Sequence, residues 1–199
     1  MTKIKICGLM TPQDAAFVNA VQPDFAGMIL SPGFRRTVTR ETAAAIRKAL
    51  NAAIPAVGVF VDAEPADIAA YVNSGIIQTV QLHGHEDAAY IEKLRQITDA
   101  QIFQAFRIRS AADVQQAEQS PADMILLDSG TGTGKVFDWS LLSDIRRPYL
   151  LAGGLNPENA PAAVAALHPA GVDVSSGVET DGRKDFAKIQ AFVNAVRGT

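Results

Sequence analysis

Apolar, β-branched runs alternate with Ala-rich runs of helical period along the whole 199-residue sequence, one pair every ~25 residues. The spacing predicts strands at Ile4–Cys7, Phe25–Leu30, Ala56–Val61, Thr79–Leu82, Ile102–Phe106, Met124–Leu127, Tyr149–Ala152 and Val172–Val174. It predicts helices at Pro12–Ala20, Arg40–Asn51, Ala66–Asn73, Asp87–Ile97, Ala111–Glu118, Trp139–Asp144, Pro157–Leu167 and Phe186–Val196. Thr11 with Asp14 reads as a helix-capping pair, and Thr39, Ser110 and Asn156 stand at the same position before their helices. A helix between every two strands makes the strands parallel, and short apolar strands are those covered on both faces. Eight such units close into an α/β TIM barrel, (β/α)8, here one domain spanning 1–199 with minimal loops. The rival is a doubly wound open sheet, which needs a switch point and usually fewer strands.

Composition narrows the partners. A formal net charge of -3 leaves no basic field, so nucleic acid is not expected. No apolar run approaches the ~20 residues of a membrane span, and the one near the N-terminus is too short for a signal peptide. The one cysteine supplies neither an internal disulfide nor a thiolate metal site, so no metal is expected and the cytoplasm is the expected compartment.

Barrels of this kind carry their chemistry at the C-terminal ends of the strands. Polar residues there are Cys7, the segment Ser31 to Arg36, Asp62, His83, Arg107, Asp128, Gly153-Gly154 and Ser175-Ser176-Gly177. The last two groups follow consecutive strands. Their glycines let backbone N–H groups approach an anion, and the serines add hydroxyl donors, so they read as a phosphate cradle. A tight turn is the plainer alternative for Gly153-Gly154. Ser129–Lys135 lacks the spacing of a nucleotide P-loop, and Val136 follows its lysine. It reads as a glycine-hinged flap, or as a loop without a role, with Phe137-Asp138-Trp139 anchoring its far end.

Strand side chains alternate faces. If Ile4 and Ile6 face the helices, Lys5 and Cys7 face inward, and on the sixth strand Met124, Leu126 and Asp128 share a face. Cys7 and Asp128 can then look into one barrel mouth as base and acid. A buried carboxylic acid is expected to hold its proton, and a thiol beside the Lys5 cation to give its proton up more readily. Each has a plainer reading: Cys7 as a small buried hydrophobe, Asp128 as a loop cap, His83 as a structural hydrogen-bonder. Glu179 and Asp181 read as solvated loop charges.

Taken together, Lys5–Leu9, Gln81–Gly84, Leu127-Asp128-Ser129 with the Gly-Thr-Gly loop and Phe137-Asp138-Trp139, Leu151–Leu155 and Asp173–Glu179 resemble the phosphoribosylanthranilate isomerases over the whole chain. The resemblance implies a cofactor-free barrel enzyme of tryptophan biosynthesis. It implies an Amadori rearrangement of a small phosphosugar, with Asp128 as general acid and Cys7 as general base. It implies that Arg36, or its neighbour Arg35, contacts the anthranilate carboxylate. The phosphate then lies on Gly153, Gly154, Ser175, Ser176 and Gly177, with His83 on the substrate side. A histidine-pathway isomerase would carry an aspartate in place of Cys7, an indole-forming synthase a catalytic lysine, and a phosphate sensor no acid–base pair. Monomer and homodimer both remain open.

Overall fold

The computed structural model describes residues 1–128, 141–142 and 145–198. The expected flap, its Phe137–Trp139 anchor and, apart from Leu141 and Leu142, the helix expected at 139–144 lie outside the described residues.

Eight strands form a closed barrel in the order of the chain. They are β1 (Lys3–Ile6), β2 (Phe25–Ile29), β3 (Ala56–Phe60), β4 (Thr79–Leu82), β5 (Gln101–Arg107), β6 (Met124–Asp128), β7 (Tyr149–Ala152) and β8 (Gly171–Val174). Every neighbouring pair is parallel, and β1 against β8 closes the ring. Outside lie α1 (Pro12–Val21), α2 (Arg40–Ala49), α3 (Pro65–Asn73), α4 (Ala88–Arg95), α5 (Ala111–Glu118), α6 (Ala160–Leu167) and α7 (Phe186–Arg197).

The helix starts obey the local chemistry. Thr11 and Asp14 cap α1 reciprocally, the Thr11 hydroxyl accepting from the Asp14 N–H and the Asp14 carboxylate from the Thr11 N–H. Thr39 and Asp87 cap α2 and α4 through their side chains. One expected start is displaced. The Asn156 carboxamide oxygen accepts from the N–H groups of Glu158 and Asn159, at 3.0 and 2.8 Å, and Asn159 returns a bond to the Asn156 N–H. That local turn delays α6 to Ala160, with Asn159 rather than Asn156 at the cap.

Register fixes what faces inward. The pairs Lys5↔Asp173, Lys5↔Phe25, Gly27↔Val57, Val59↔Gln81, Gln81↔Phe103, Ala105↔Leu126, Arg107↔Asp128 and Leu150↔Gly171 lie side by side. One face therefore runs continuously around the ring. Phe25, Val57, Phe103, Ala105, Leu126, Leu150 and Ala152 from this face form the apolar core of the barrel, with Phe25 edge-on to Phe103 at 5.2 Å. Ile4, Ile6 and Val172 point the other way, into the larger core shared with the helices. The faces of β1 and β6 are those expected from sequence.

Phe103 is fully buried inside the ring. Phe103→Ala is expected to cost ~3–5 kcal/mol of stability. The measurement is a lower urea midpoint with an unchanged denaturant slope.

Candidate active site

Cys7 leaves β1 on a turn that fixes it. Its N–H donates to the Val174 carbonyl at 2.8 Å, and the N–H groups of Gly8 and Leu9 both donate to the Gly27 carbonyl at 2.9 Å. Gly8 has φ of +79°, and a side chain there would meet the Arg36 Cδ at 2.6 Å and the Ser175 Oγ at 2.9 Å. On β2, a Cβ on inward-facing Gly27 would lie 2.8 Å from the Cys7 Sγ and 3.2 Å from the Lys5 Nζ. Sulfur and ammonium thus share the slot that glycine leaves open, on the inner wall. Both are buried.

Beneath the sulfur, the Lys5 Nζ donates to the Asp173 Oδ1 of β8 at 3.0 Å. Burial works against the Lys5 cation, but Asp173 and Cys7 more than offset it, and its pKa is raised. For Cys7, burial pushes the thiol up; Lys5 pulls it down, and Asp173 pushes it up again. The net direction is upward, so the expected lowering beside a cation is overturned: desolvation outweighs the ammonium, and Asp173 opposes part of the ammonium's effect.

Asp128 ends β6, its carbonyl accepting from the Ile108 N–H. Its Oδ2 lies 3.7 Å from the His83 Nε2. His83 follows β4, with its N–H on the Phe60 carbonyl and its Nδ1 3.5 Å from the Gln81 Nε2. Burial lowers the imidazole pKa against the pull of Asp128, favouring the neutral ring.

The two glycine loops meet. Gly153 and Gly154 take φ of +89° and +68° after β7. After β8, Ser176–Val178 forms a short 3-10 helix, and a Cβ on Gly177 would lie 1.9 Å from the Leu155 carbonyl oxygen. Close approach of the loops thus depends on that glycine. Among the described residues, two buried side-chain polar atoms have no hydrogen-bond partner, Ser175 Oγ and Gln81 Oε1. Both belong to residues on the inward face. Buried polar atoms without a protein partner are bonded by ordered water, an ion or a bound molecule.

Glu179 corrects an expectation. It is buried, not solvated. It accepts from the Arg36 Nε at 2.6 Å and Nη2 at 3.1 Å, the Arg35 Nη2 at 2.6 Å and the Lys184 Nζ at 2.9 Å. Burial alone would raise its pKa; bonds from Arg36, the Lys184 charge and bonds from Arg35 bring it down to about 2. Lys184 faces Glu179 across a hairpin of β9 (Glu179–Thr180) and β10 (Arg183–Lys184). The Asp181-Gly182 pair at its tip is a hairpin signal in the sequence and could have located this partner. Asp181 itself is exposed, as expected.

The same contacts separate the two arginines. Arg35 is half exposed and is tied at both ends to the hairpin, through Glu179 and the Gly182 carbonyl. Arg36 crosses Gly8 beside Cys7 and gives only one edge of its guanidinium, Nε and Nη2, to Glu179. Among the described residues its Nη1 makes no hydrogen bond, and a guanidinium edge of this kind suits a carboxylate. Among the described residues no group of three His, Cys, Asp or Glu could hold a metal ion, and no helix is long and apolar enough to cross a membrane.

A family model for N-(5'-phosphoribosyl)anthranilate (PRA) isomerase matches residues 4–195. The N-(5'-phosphoribosyl)anthranilate isomerase of Acetivibrio thermocellus is 43% identical over 211 residues, covering 99% of this chain and 96% of that one. The solved phosphoribosyl anthranilate isomerase of Thermotoga maritima superposes with a TM-score of 0.88 at 36% identity, both chains fully covered. A solved enzyme of the same name, in complex with reduced 1-(o-carboxyphenylamino)-1-deoxyribulose 5-phosphate, superposes at 0.85 with 34% identity, again covering all of both chains.

The low Glu179 pKa makes stability pH-dependent with a definite sign. Folding favours the ionised form, so its contribution is complete above the ordinary value of 4.5 and is lost as pH falls towards about 2. Urea unfolding across that window is expected to show a steeper loss in the native protein than in Glu179→Gln.

Proposed function

The chain belongs to the phosphoribosylanthranilate isomerase family, and from that premise we propose which residues carry its reaction. The enzyme converts N-(5-phosphoribosyl)anthranilate to 1-(2-carboxyphenylamino)-1-deoxyribulose 5-phosphate in tryptophan biosynthesis. What supports the assignment of roles is one observation. Cys7, Gln81, Asp128 and Ser175 belong to the single inward face that the register defines, and Gln81 and Ser175 hold unpaired polar atoms there.

Asp128 protonates the ribose ring oxygen. The bond from that oxygen to C1 breaks, and the anthranilate nitrogen lone pair forms the C1=N iminium. The Cys7 thiolate takes the C2 proton, and the C–H electron pair becomes the C1=C2 bond of an enolamine. Return of a proton to C1, with loss of the C2 hydroxyl proton, gives the ketone. The iminium is the electron sink, so the chemistry calls on no cofactor, and a thiol of modest basicity suffices. His83, neutral and 3.7 Å from Asp128, orients the acid and meets the substrate.

Arg36 takes the anthranilate carboxylate on its Nη1 edge while Glu179 holds the other. The phosphate lies on the N–H groups of Gly153 and Gly154 and of the Ser175-Ser176-Gly177 turn, with the Ser175 hydroxyl as an added donor. A catalytic thiol has to stay reduced, which favours the cytoplasm. A homodimer is the assembly we favour over a monomer, because a similar enzyme, from Thermotoga maritima, is dimeric.

Cys7→Ser and Asp128→Asn are each expected to lower kcat ~100- to 10,000-fold with KM nearly unchanged. The decay of substrate fluorescence measures both. Near-normal turnover in Cys7→Ala would remove the base assignment. Arg36→Ala is expected to raise KM more than it lowers kcat.

A further inference from the structure

A lysine sits fully buried inside the barrel, where side chains of such folds are mostly branched and apolar. An unpaired ammonium there would cost several kcal/mol, and Asp173 supplies the missing charge at 3.0 Å. Stability does not explain the arrangement, because a well-packed apolar pair of the same volume does as well or better. The position does suggest a reason: the ammonium and the Cys7 sulfur lie in the same slot over Gly27.

Among the described residues around the sulfur, Lys5 is the cation that acts on it most strongly, with Lys184 a weaker second. Lys5 comes from β1, Asp173 from β8 and Lys184 from β10. His83 from β4, Arg107 from β5 and Asp128 from β6 stand around the same mouth, and Arg36 passes over Gly8. Arg36 and Lys184 are both bound to Glu179, and Lys184 also donates to the Ser175 carbonyl. His83 is held neutral by burial. Among the described residues, Lys5 is the cation that shares the slot over Gly27 with the thiol, and Asp173 is its ion-pair partner.

We propose that Lys5 and Asp173 are positioning residues of the isomerisation: the Lys5 ammonium supports the Cys7 thiolate, and Asp173 limits how much of that charge the sulfur feels. The proposal rests on Cys7 being the base. It makes the two residues act with opposite sign. Removing the ammonium raises the pH at which the thiol ionises. Removing the carboxylate frees the ammonium for the sulfur and lowers that pH. Removing both leaves a net rise smaller than for the ammonium alone, because the ammonium acts on the sulfur more strongly than the carboxylate does.

The single cysteine makes this directly readable. The rate of iodoacetamide alkylation of the full chain is followed against pH by intact mass, with Cys7→Ser as the blank. The midpoint is expected to rise in the order Asp173→Asn, native, Lys5→Met/Asp173→Asn, Lys5→Met. Each unit of displacement changes the thiolate fraction below the midpoint about tenfold. The limb of kcat/KM against pH is expected to move in the same order. Midpoints that do not move, or that move the same way in both single variants, overturn the proposal. If Lys5→Met does not fold, Asp173→Asn decides: a lower midpoint supports the coupling, and an unchanged or higher one overturns it. Alkylation that shifts as stated beside an unmoved kcat/KM limb overturns the base assignment and, with it, the catalytic role of the pair, while leaving the coupling itself standing.

Discussion

Closure of eight parallel strands in one continuous register is the constraint on which everything else in this molecule rests. Because side chains alternate along a strand, closing the ring divides every strand into an inner and an outer set that cannot be exchanged without a one-residue slip. A slip would carry Ile4 and Ile6 inside and turn Lys5 and Cys7 out among the helices. The outer set binds too much apolar surface for that to occur, since Ile4, Ile6 and Val172 are all buried against helices. Packing on the outside of the barrel therefore aims the polar groups on the inside.

Within the ring, an apolar cluster gathers around Phe25 and Phe103, and Cys7, Arg107 and Asp128 stand at the C-terminal ends of the strands. Electrostatics there work by pairing. Lys5 has Asp173, Asp128 has His83 within reach, and Arg36 has Glu179. Glu179 turns an otherwise floppy arginine into a fixed fork with one edge spoken for. Holding the side chain before the substrate arrives reduces the ordering cost of binding. Burial that raises the thiol pKa leaves less of it ionised, and makes the thiolate that does form a stronger base. The substrate acidifies its own C2 proton once the iminium forms, and no strong base is required.

What the sequence disclosed was local. The alternation of Lys3-Ile4-Lys5-Ile6-Cys7 disclosed its faces, and Thr11 with Asp14 a helix start, because both depend on residues a few positions apart. The placing of Cys7 and Asp128 at strand ends followed from the same local pattern. Pairings made by closure were not disclosed. Lys5 and Asp173 are 168 positions apart, and Arg36 and Glu179 143, so each meeting exists only once the ring is shut. Glu179 reads as a solvated charge in the sequence for that reason, because its partners Arg35, Arg36 and Lys184 meet it only in the closed fold. The upward direction of the Cys7 shift is likewise absent from the sequence, since desolvation depends on packing that no spacing rule contains.

The central claim is that the Cys7 sulfur and the Asp128 carboxyl flank one bound sugar. A crystal structure of this chain with the reduced product analogue tests it most directly. The account expects the sulfur and the carboxyl on opposite sides of the ribulose chain, each within ~3–4 Å of it. It also expects the phosphate between the two glycine loops and the aryl carboxylate on the open edge of Arg36. An analogue seated with its phosphate there, but with the sulfur turned away and out of contact with its carbon chain, would contradict it.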